Sequence, residues 1–275
     1  MKKATVGIVG LGEKLPIDIE KLVALLNRRQ KSYEFDFAGV ITADVVGDPD
    51  IRNNWYDIPR LTKLVTARTA AHYDYVVGVT KTPITHSEDF PSASSGDIPF
   101  PPPKLDYFSR SDYRRVAIIT VQKSLLDAHT GGKPLLQVAA FLTVTEVLIM
   151  TAKENLTHYG DPDCAFNDCE DRDLLRGCIE SGMICSARCM GKLKSANVPD
   201  STIESVKHVL RWCSRPTWGH AVKCTFQNAY VGLAIGTGIG WLSALYIGKD
   251  QYMLMIGVTL IPISVVLFLA KKNNA

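Results

Sequence analysis

Side chains that could bind a metal ion are concentrated in one stretch of the chain, between residues 153 and 189. All seven cysteines lie after residue 160, and two close pairs stand out, Cys164 with Cys169 and Cys185 with Cys189. Four thiolates in two pairs suit a closed tetrahedral zinc site that stabilises a fold. The spacing therefore predicts structural zinc at these four cysteines, with unliganded buried thiols or redox pairs as the alternatives.

The remaining cysteines are assigned lesser roles. Cys178 lies between the two pairs and could replace one ligand, whereas Cys213 and Cys224 are predicted to be bystanders. The cysteine count is odd, and the first residues do not read as a signal peptide. Both features indicate a reducing compartment rather than a disulfide framework.

Residues 153–164 read KENLTHYGDPDC. This segment resembles the archaemetzincins, zinc peptidase-like proteins whose motif HExxHxxGxxHC is followed by further cysteines. In that alignment Glu154 falls on the general-base glutamate, Gly160 on the turn glycine and Cys164 on the cysteine after the third histidine. The positions of the three metal-binding histidines are occupied by other residues: Lys153, Thr157 and Asp163.

These replacements remove the chemistry of the motif. Two histidines four residues apart on a helix face one zinc ion, which activates a water molecule for the neighbouring glutamate. A protonated lysine cannot bind zinc, threonine is a poor ligand, and a single aspartate cannot hold the ion alone. On a continuous helix, His158 would point about 100° away from the required position. We therefore expect a site without peptidase activity.

Two hypotheses concern the role of Lys153. Its ammonium group could replace the charge of the metal by pairing with Asp163 or Glu154, which a structure with Lys153 exposed and unpaired would refute. Alternatively, Lys153 extends to solvent from a degenerate helix end. A third reading keeps an enzyme: Glu154 acts as base in a membrane-tethered metallopeptidase that recruits Asp163, His158 or His129 as ligands, and it predicts metal at Glu154 as well as at the cysteines.

The resemblance extends along most of the domain. Residues 76–80 and 115–120 are similar to two strands of the family, and residues 182–193 are similar to its closing cysteine segment. The chain departs from the family in the CxxxC spacing of Cys185 and Cys189, and in lacking a methionine after Cys169. The resemblance implies an α/β (α+β) zincin-like domain.

Hydrophobic patterns predict alternating strands and helices. Residues 17–29 and the mostly apolar stretch 135–156 read as helices, the second as the central buried helix or, alternatively, a third membrane span. Residues 85–110 predict a long surface loop. Gly7, Gly10 and Gly12 lack the spacing of phosphate-binding motifs, so they indicate a strand end rather than a phosphate-binding turn. Four strands are predicted, at residues 4–9, 35–41, 73–79 and 115–120.

Two apolar runs, residues 229–247 and 252–270, predict a transmembrane helical hairpin. Each run is close to the roughly 20 residues that cross a bilayer, and the four-residue connection requires a tight turn. Lysines at 223, 271 and 272 flank the outer ends, so the positive-inside rule places both termini in the cytoplasm. One helix face carries small residues that could meet the second span or another subunit: Gly232, Gly236 and Gly240.

The predicted organisation is an archaemetzincin-like domain at 1–195, a helical linker at 196–228 with an amphipathic helix at 201–212, and the hairpin at 229–270. The net charge is +3, and the sequence has no basic stripe, so we expect no nucleic-acid partner. The expected partners are a lipid bilayer, a protein or small molecule in the former substrate cleft, and a second copy of the chain.

The leading hypothesis is a non-catalytic membrane protein, placed in the bacterial inner membrane, whose cytoplasmic domain senses a ligand or partner and biases the attached helices. Bacterial anti-phage systems use such couplings, so a defence effector is proposed by analogy of architecture alone. The alternatives are the tethered metallopeptidase and a membrane scaffold or assembly factor. Membrane leakage on expression distinguishes the effector from the scaffold, and metal bound at Glu154 would mark the peptidase.

Overall fold

The computed structural model describes ten segments of the chain: residues 3–12, 14–47, 56–69, 71–85, 108–130, 132–158, 160–161, 164–167, 174–184 and 186–215. Met1–Arg215 form one compact unit. The predicted hairpin at 229–270, with its glycine face, lies outside the described residues.

The described elements alternate between strands and helices before ending in a run of helices. The strands are β1 (Ala4–Leu11), β2 (Tyr33–Ile41), β3 (Tyr56–Asp57), β4 (Tyr75–Thr80), β5 (Ile84–Thr85), β6 (Ser109–Ser111) and β7 (Val116–Thr120). The helices are α1 (Ile19–Arg29), α2 (Ala43–Val46), α3 (Ile58–Thr69), α4 (Lys123–Thr130), α5 (Leu135–Ala152), α6 (Leu174–Ser181), α7 (Ala187–Ser195) and α8 (Asp200–Ser214). The four predicted strands are confirmed as β1, β2, β4 and β7, and the domain is mixed α/β as expected.

The main sheet has the strand order β2-β1-β4-β7-β6. Its first four strands are parallel, and β6 pairs with β7 in the antiparallel direction. The sheet separates two hydrophobic cores, one on each face. Val6 and Ile8 of β1 pack with α1 and α5 on one face, whereas Val9 and Leu11 pack with α3 on the other. The sheet therefore has helices on both faces, which is typical of a mainly parallel sheet.

Helix α5 is the centre of the larger core. Fourteen of its eighteen residues are buried, so polar residues along it are enclosed as well, including Thr143 and Glu146. Within the described residues it is one helix with the length and apolarity of a membrane span, yet 78% of that apolar window is buried inside the domain. The prediction of a central buried helix is confirmed, but the helix ends at Ala152 rather than near residue 156.

Helix α8 belongs to the domain and is not a linker. The amphipathic helix predicted at 201–212 is confirmed as Asp200–Ser214, and its apolar face packs in the same core as α1 and α5. The guanidinium of Arg29, on α1, lies 5.6 Å from the centre of the Trp212 ring. The boundary expected after residue 195 is therefore too early, because burying this apolar face extends the compact unit to Arg215.

The carboxyl end of α8 is capped by a lysine from another part of the chain. Lys133 lies before α5 and is only 9% exposed. Its Nζ donates to the carbonyl oxygens of Ser214 at 3.0 Å and of Cys213 and Arg215 at 3.4 Å each. A cation at this position satisfies carbonyls that have no partner within the helix, while burial lowers the pKa of Lys133.

The loop predicted at 85–110 is only partly described. Its first residue, Thr85, ends β5, and its last two residues lie in β6, which begins at Ser109. Strand β6 was missed because three residues are too few to show an alternating pattern. Residues 86–107 lie outside the described part of the chain.

Candidate metal centre

The segment that follows α5 leaves the helix abruptly. Lys153 adopts a left-handed conformation, with φ of 54°, and its backbone N–H donates to the carbonyl of Met150 at 3.2 Å. Two residues later the Asn155 side chain accepts from the backbone N–H of Thr157 at 2.9 Å and from its hydroxyl at 2.5 Å. An asparagine that bonds the backbone two residues ahead offers an alternative to the helix, so the chain turns here.

This turn separates the residues that align with the peptidase motif. Lys153, Glu154 and Thr157 do not share a helix face, contrary to the expectation from the motif, because the helix has already ended. The Glu154 carboxylate lies 3.6 Å from the Lys192 Nζ, which also donates to the carbonyl of Asn155. The Thr157 hydroxyl is bonded to Asn155. These side chains therefore point toward partners other than a common metal ion.

The proposed charge replacement by Lys153 is contradicted for its Glu154 partner. Lys153 is exposed, and Glu154 pairs with Lys192. Among the described residues Lys153 makes no ion pair, which agrees with the alternative of a lysine that extends to solvent. Asp163, the other partner considered, lies outside the described residues.

A buried cluster forms where the chain continues after the turn. His158 is followed by the short segment Cys164–Asn167, and the two are joined by a backbone hydrogen bond from His158 N–H to the Phe166 carbonyl at 3.1 Å. Cys189, in the first turn of α7, also lies in this cluster. His158, Cys164 and Cys189 are all buried, and their ligand atoms lie within 4.8 Å of one another.

The geometry of this cluster fits a zinc ion. Two thiolates bound tetrahedrally at Zn–S distances of about 2.3 Å lie about 3.8 Å apart, and the Sγ atoms of Cys164 and Cys189 are 3.9 Å apart. The Nε2 atom of His158 is buried and has no hydrogen-bond partner in the described part of the chain. A buried nitrogen without a partner costs free energy that metal coordination would recover. The expected zinc therefore has a candidate site, with one nitrogen and two sulfur ligands.

The two thiols influence each other's ionisation. A hydrogen bond with Cys189 lowers the pKa of Cys164, aided by the Phe166 backbone N–H and by His158 and opposed by burial. The same hydrogen bond, together with burial, raises the pKa of Cys189. The pair therefore loses its first proton easily and its second proton with difficulty, as expected for two acids in contact. A bound divalent metal ion would stabilise both thiolates, so the second proton would also be lost easily.

The structure brings together two of the four predicted ligands. Cys164 and Cys189 meet, whereas Cys169 and Cys185 lie outside the described residues. Cys178 is buried, and its Sγ donates to the carbonyl of Asn167 at 3.7 Å. Of the expected bystanders, Cys213 is buried in α8, where burial raises the pKa of its thiol to about 12, and Cys224 is outside the described residues.

His158 is the ligand that the sequence argument placed wrongly. The 100° offset assumed that α5 continued through residue 158, but the chain has left the helix five residues earlier. Two features of the sequence pointed to this arrangement: Asn155 favours a turn, and His158 lies six residues before Cys164. The side chain of His129, the other histidine considered as a ligand, is not among the described ones.

Comparisons with known proteins give distant likenesses only. No protein-family model matches the sequence, and no curated protein matches it. Among solved structures, the chain is similar to archaemetzincin from Methanopyrus kandleri, with 16% identity, a TM-score of 0.49, and coverage of 72% of this chain and 97% of that one. It is also similar to a zinc-dependent peptidase from Methanocorpusculum labreanum, with 14% identity, a TM-score of 0.41, and coverage of 68% and 99%. Likenesses this distant decide neither fold nor activity.

The arrangement can hold a metal ion but offers little for hydrolysis. A catalytic zinc keeps one position open to water, whereas structural sites are closed and rich in thiolates. His158, Cys164 and Cys189 are all buried, and the glutamate of the motif, Glu154, is paired with Lys192. The cluster ties the segment after α5 to α7 across 25 residues of sequence between Cys164 and Cys189. A metal ion bound there would fix these parts of the fold to each other.

Proposed function

We propose that the chain is a zincin-like protein without peptidase activity, whose domain is stabilised by a zinc ion bound to His158, Cys164 and Cys189. The observation that carries this proposal is the end of α5 at Ala152. It withdraws Glu154 and Thr157 from a common metal position and brings a buried, sulfur-rich cluster into the segment that follows.

The electrostatics of the segment support the same conclusion. A general base needs a carboxylate held close to the metal-bound water. Glu154 is instead 44% exposed and is paired with the ammonium of Lys192. An exposed ion pair of this kind contributes roughly 0 to 1 kcal/mol to stability, so it has a modest structural role.

The first experiment is to measure metal content together with proteolysis in the full-length purified chain. We expect about one zinc per chain, as for a single structural site, and no cleavage of casein or of fluorogenic peptides. Cys189→Ser should lose the zinc, whereas Cys213→Ser, which alters a buried cysteine on α8, should retain it. Zinc-dependent cleavage that disappears in Glu154→Gln would overturn the proposal and establish the tethered metallopeptidase.

We further propose that residues 229–270 anchor this domain as a two-span hairpin, with both termini in the cytoplasm. The support is the sequence: two long uncharged runs, a four-residue connection and lysines at the outer ends. After membrane fractionation and alkaline carbonate extraction, the full chain should remain in the pellet, and a chain ending at Arg215 should not. Release of the full chain by carbonate would contradict anchoring.

In this arrangement the domain senses a ligand or protein partner and transmits binding to the hairpin, with bacterial anti-phage defence as the proposed setting. Close packing of Gly232, Gly236 and Gly240 would allow two copies to associate. Dye release from cells expressing the full chain, reduced in a variant with isoleucine at these three glycines, would support an effector. Membrane association without dye release under any infection condition would instead indicate a scaffold.

A further inference from the structure

The solvent face of α8 carries positive charge toward its carboxyl end. His208, Arg211 and Arg215 are exposed there, at spacings of three and four residues that place them on one face of the helix. Neither arginine makes an ion pair within the part of the chain that the structure describes. Lys207 lies on the same helix but is already paired with Glu204 at 2.5 Å, so its charge is not counted here.

The carboxyl end of α1 adds two cations beside this face. The guanidinium of Arg29 lies 5.6 Å from the centre of the Trp212 ring, in the last turn of α8. Lys31 is exposed, and its backbone N–H donates to the Ser205 hydroxyl of α8 at 2.7 Å. Neither cation forms an ion pair with another described residue. The α8 surface therefore consists of four cations and one indole ring: Arg29, Lys31, Arg211, Trp212 and Arg215.

The acidic residues of α8 lie toward its other end. Glu204 is about 10 Å along the axis from Arg211 and about 16 Å from Arg215, and Asp200 is a further turn away. Interactions between charges in solvent are largely screened beyond about 8 Å at physiological ionic strength. Because Glu204 is also paired with Lys207, neither acid neutralises the α8 surface.

Acidic residues on neighbouring elements leave the excess of positive charge in place. Helix α6 packs against α8, and its Glu180 is paired with Arg176 at 2.8 Å. Glu20 lies in the first turn of α1, at the end away from Arg29. Even if the exposed Glu34 of β2 is counted against the four cations, the α8 surface keeps a net positive charge.

The sequence continues this bias toward the first predicted membrane span. The 24 residues from Ser205 to Asn228 contain four lysines or arginines and no aspartate or glutamate. Thirteen residues separate Arg215 from residue 229, and a fully extended stretch of that length spans at most about 50 Å. The cytoplasmic leaflet of a membrane contains anionic phospholipids, to which basic segments beside a membrane span are attracted.

The indole ring favours lipid over nucleic acid as the partner. Trp212 is partly exposed among the cations, and tryptophan is enriched at the headgroup level of membranes. A surface that binds single-stranded nucleic acid combines a basic groove with several stacking rings, whereas the α8 surface offers one ring on a convex helix. Its charge and its aromatic residue therefore both fit an anionic lipid surface.

We propose that the α8 surface docks on the anionic headgroups of a phospholipid bilayer. The inference rests on the proposed membrane anchor, which keeps a bilayer within reach, and it adds which side of the domain faces the lipid. Helix α8 packs in the core on one face of the sheet, and α3 packs in the core on the other. Docking through α8 therefore turns α3 away from the bilayer.

The test is photocrosslinking of the full-length chain reconstituted in vesicles of phosphatidylcholine mixed with phosphatidylglycerol. The photoreactive residue p-benzoylphenylalanine replaces His208 beside the α8 surface or, as the matched control, Ala67, which is exposed on α3. Mass spectrometry should find a lipid adduct at position 208 and not at position 67. In vesicles of phosphatidylcholine alone the adduct at position 208 should fall by at least about fivefold, because the attraction depends on anionic headgroups.

Charge variants test the residues of the surface. Each basic residue near an anionic membrane contributes roughly a fivefold preference, so R211Q/R215Q should lower the adduct at position 208 by at least about tenfold. A matched control, K63Q/R68Q, removes the same charge from exposed positions on α3 and should leave the adduct within about twofold. Equal loss in both double variants, or an adduct at position 67 as abundant as that at position 208, would overturn the proposal.

Flotation of the same vesicles in alkaline carbonate distinguishes docking from anchoring. A chain that floats with both kinds of vesicle, but whose adduct at position 208 is absent or independent of phosphatidylglycerol, retains the anchor and refutes docking. A chain that does not float refutes the anchor, and an adduct that still requires phosphatidylglycerol would support docking by itself. A gel shift of labelled RNA that is lost in R211Q/R215Q, without any lipid adduct, would assign the surface to nucleic acid and overturn the proposal.

Discussion

Replacing Glu146 by methionine should stabilise the domain, by an amount that increases with pH. Glu146 is 5% exposed in the middle of α5, and its Oε2 atom has no hydrogen-bond partner in the described part of the chain. Burial raises the pKa of its carboxyl, and the nearby hydroxyls of Ser109 and Ser111 on β6 oppose the shift only in part. The folded protein therefore favours the protonated acid.

The magnitude has two parts. An unsatisfied buried oxygen costs about 1 to 3 kcal/mol, and methionine removes it, while imperfect repacking of a side chain of similar size costs up to about 1.5 kcal/mol. The two terms leave a change between a loss of about 0.5 and a gain of about 3 kcal/mol at pH 4, where most of the glutamate is protonated in both the folded and the unfolded chain. For a domain of this size, each kcal/mol corresponds to about 2 to 4 °C in melting temperature.

The second part depends on pH. Above the unfolded pKa of 4.5, the unfolded chain releases the Glu146 proton and the folded chain keeps it. The stability of the natural chain then falls by up to about 1.4 kcal/mol per pH unit until the folded pKa is reached. The methionine variant lacks this loss, so its advantage should increase from pH 4.5 upward and then level off at the pKa of the folded state.

Thermal unfolding followed by circular dichroism between pH 4 and pH 8 would test this reasoning, with Thr143→Val as the matched control. Thr143 is fully buried on the same helix, and its hydroxyl also has no partner among the described residues, but it does not titrate. Its replacement should give a gain that is constant with pH. A constant difference for Glu146→Met, or destabilisation at every pH, would refute the account of Glu146 as a buried neutral acid.

Three further outcomes are expected. In chemical denaturation, Lys133→Met should lower the free energy of unfolding by about 1 to 2 kcal/mol, because the ammonium donates one short and two longer hydrogen bonds to the end of α8. Lys123→Met, which removes an exposed ion pair, should change the same free energy by less than about 0.5 kcal/mol. His158→Gln should reduce bound zinc measured by mass spectrometry, and His208→Gln, at an exposed position, should not; unchanged zinc in both would exclude the histidine ligand. Reinstating histidine at the three motif positions should yield no peptidase activity, because residues 153–158 are not helical, and any zinc-dependent cleavage by that variant would show that it refolds.

The elements that the sequence predicted are those with a strong local pattern. Strands β1, β4 and β7 are short buried runs rich in valine and isoleucine, and α1 combines a capping residue, Asp18, with leucines on one face. Helix α5 was recognisable from its length and apolarity. These features are visible in windows of ten to twenty residues, so no knowledge of tertiary contacts was needed.

The elements that were missed depend on weaker or longer-range information. Helix α3 begins with Ile58 and Pro59, and a proline in the first turn reads as easily as a loop signal. The residue that follows α5, Lys153, has a left-handed conformation, which glycine or asparagine usually adopts. An alignment that treats the motif as helical therefore gives the wrong direction for the side chains of both Glu154 and His158.

The metal centre could be predicted only in part for the same reason. Paired cysteines suggested zinc, but which of them meet depends on how α7 packs against the turn after α5. Cys164 and Cys189 are 25 residues apart in the sequence, too far for a local pattern to predict their contact.

The apolar character of α5 has a consequence for how the chain is made. During synthesis α5 leaves the ribosome before α8, which packs against it in the finished domain. An eighteen-residue helix with a mean hydropathy of 1.8 meets the length and composition by which membrane-insertion machinery selects its substrates. We therefore expect folding of the nascent domain to compete with insertion of α5 into the bilayer. A ribosome stalled before residue 200 should expose that competition, since α8 has not yet emerged to shield the helix.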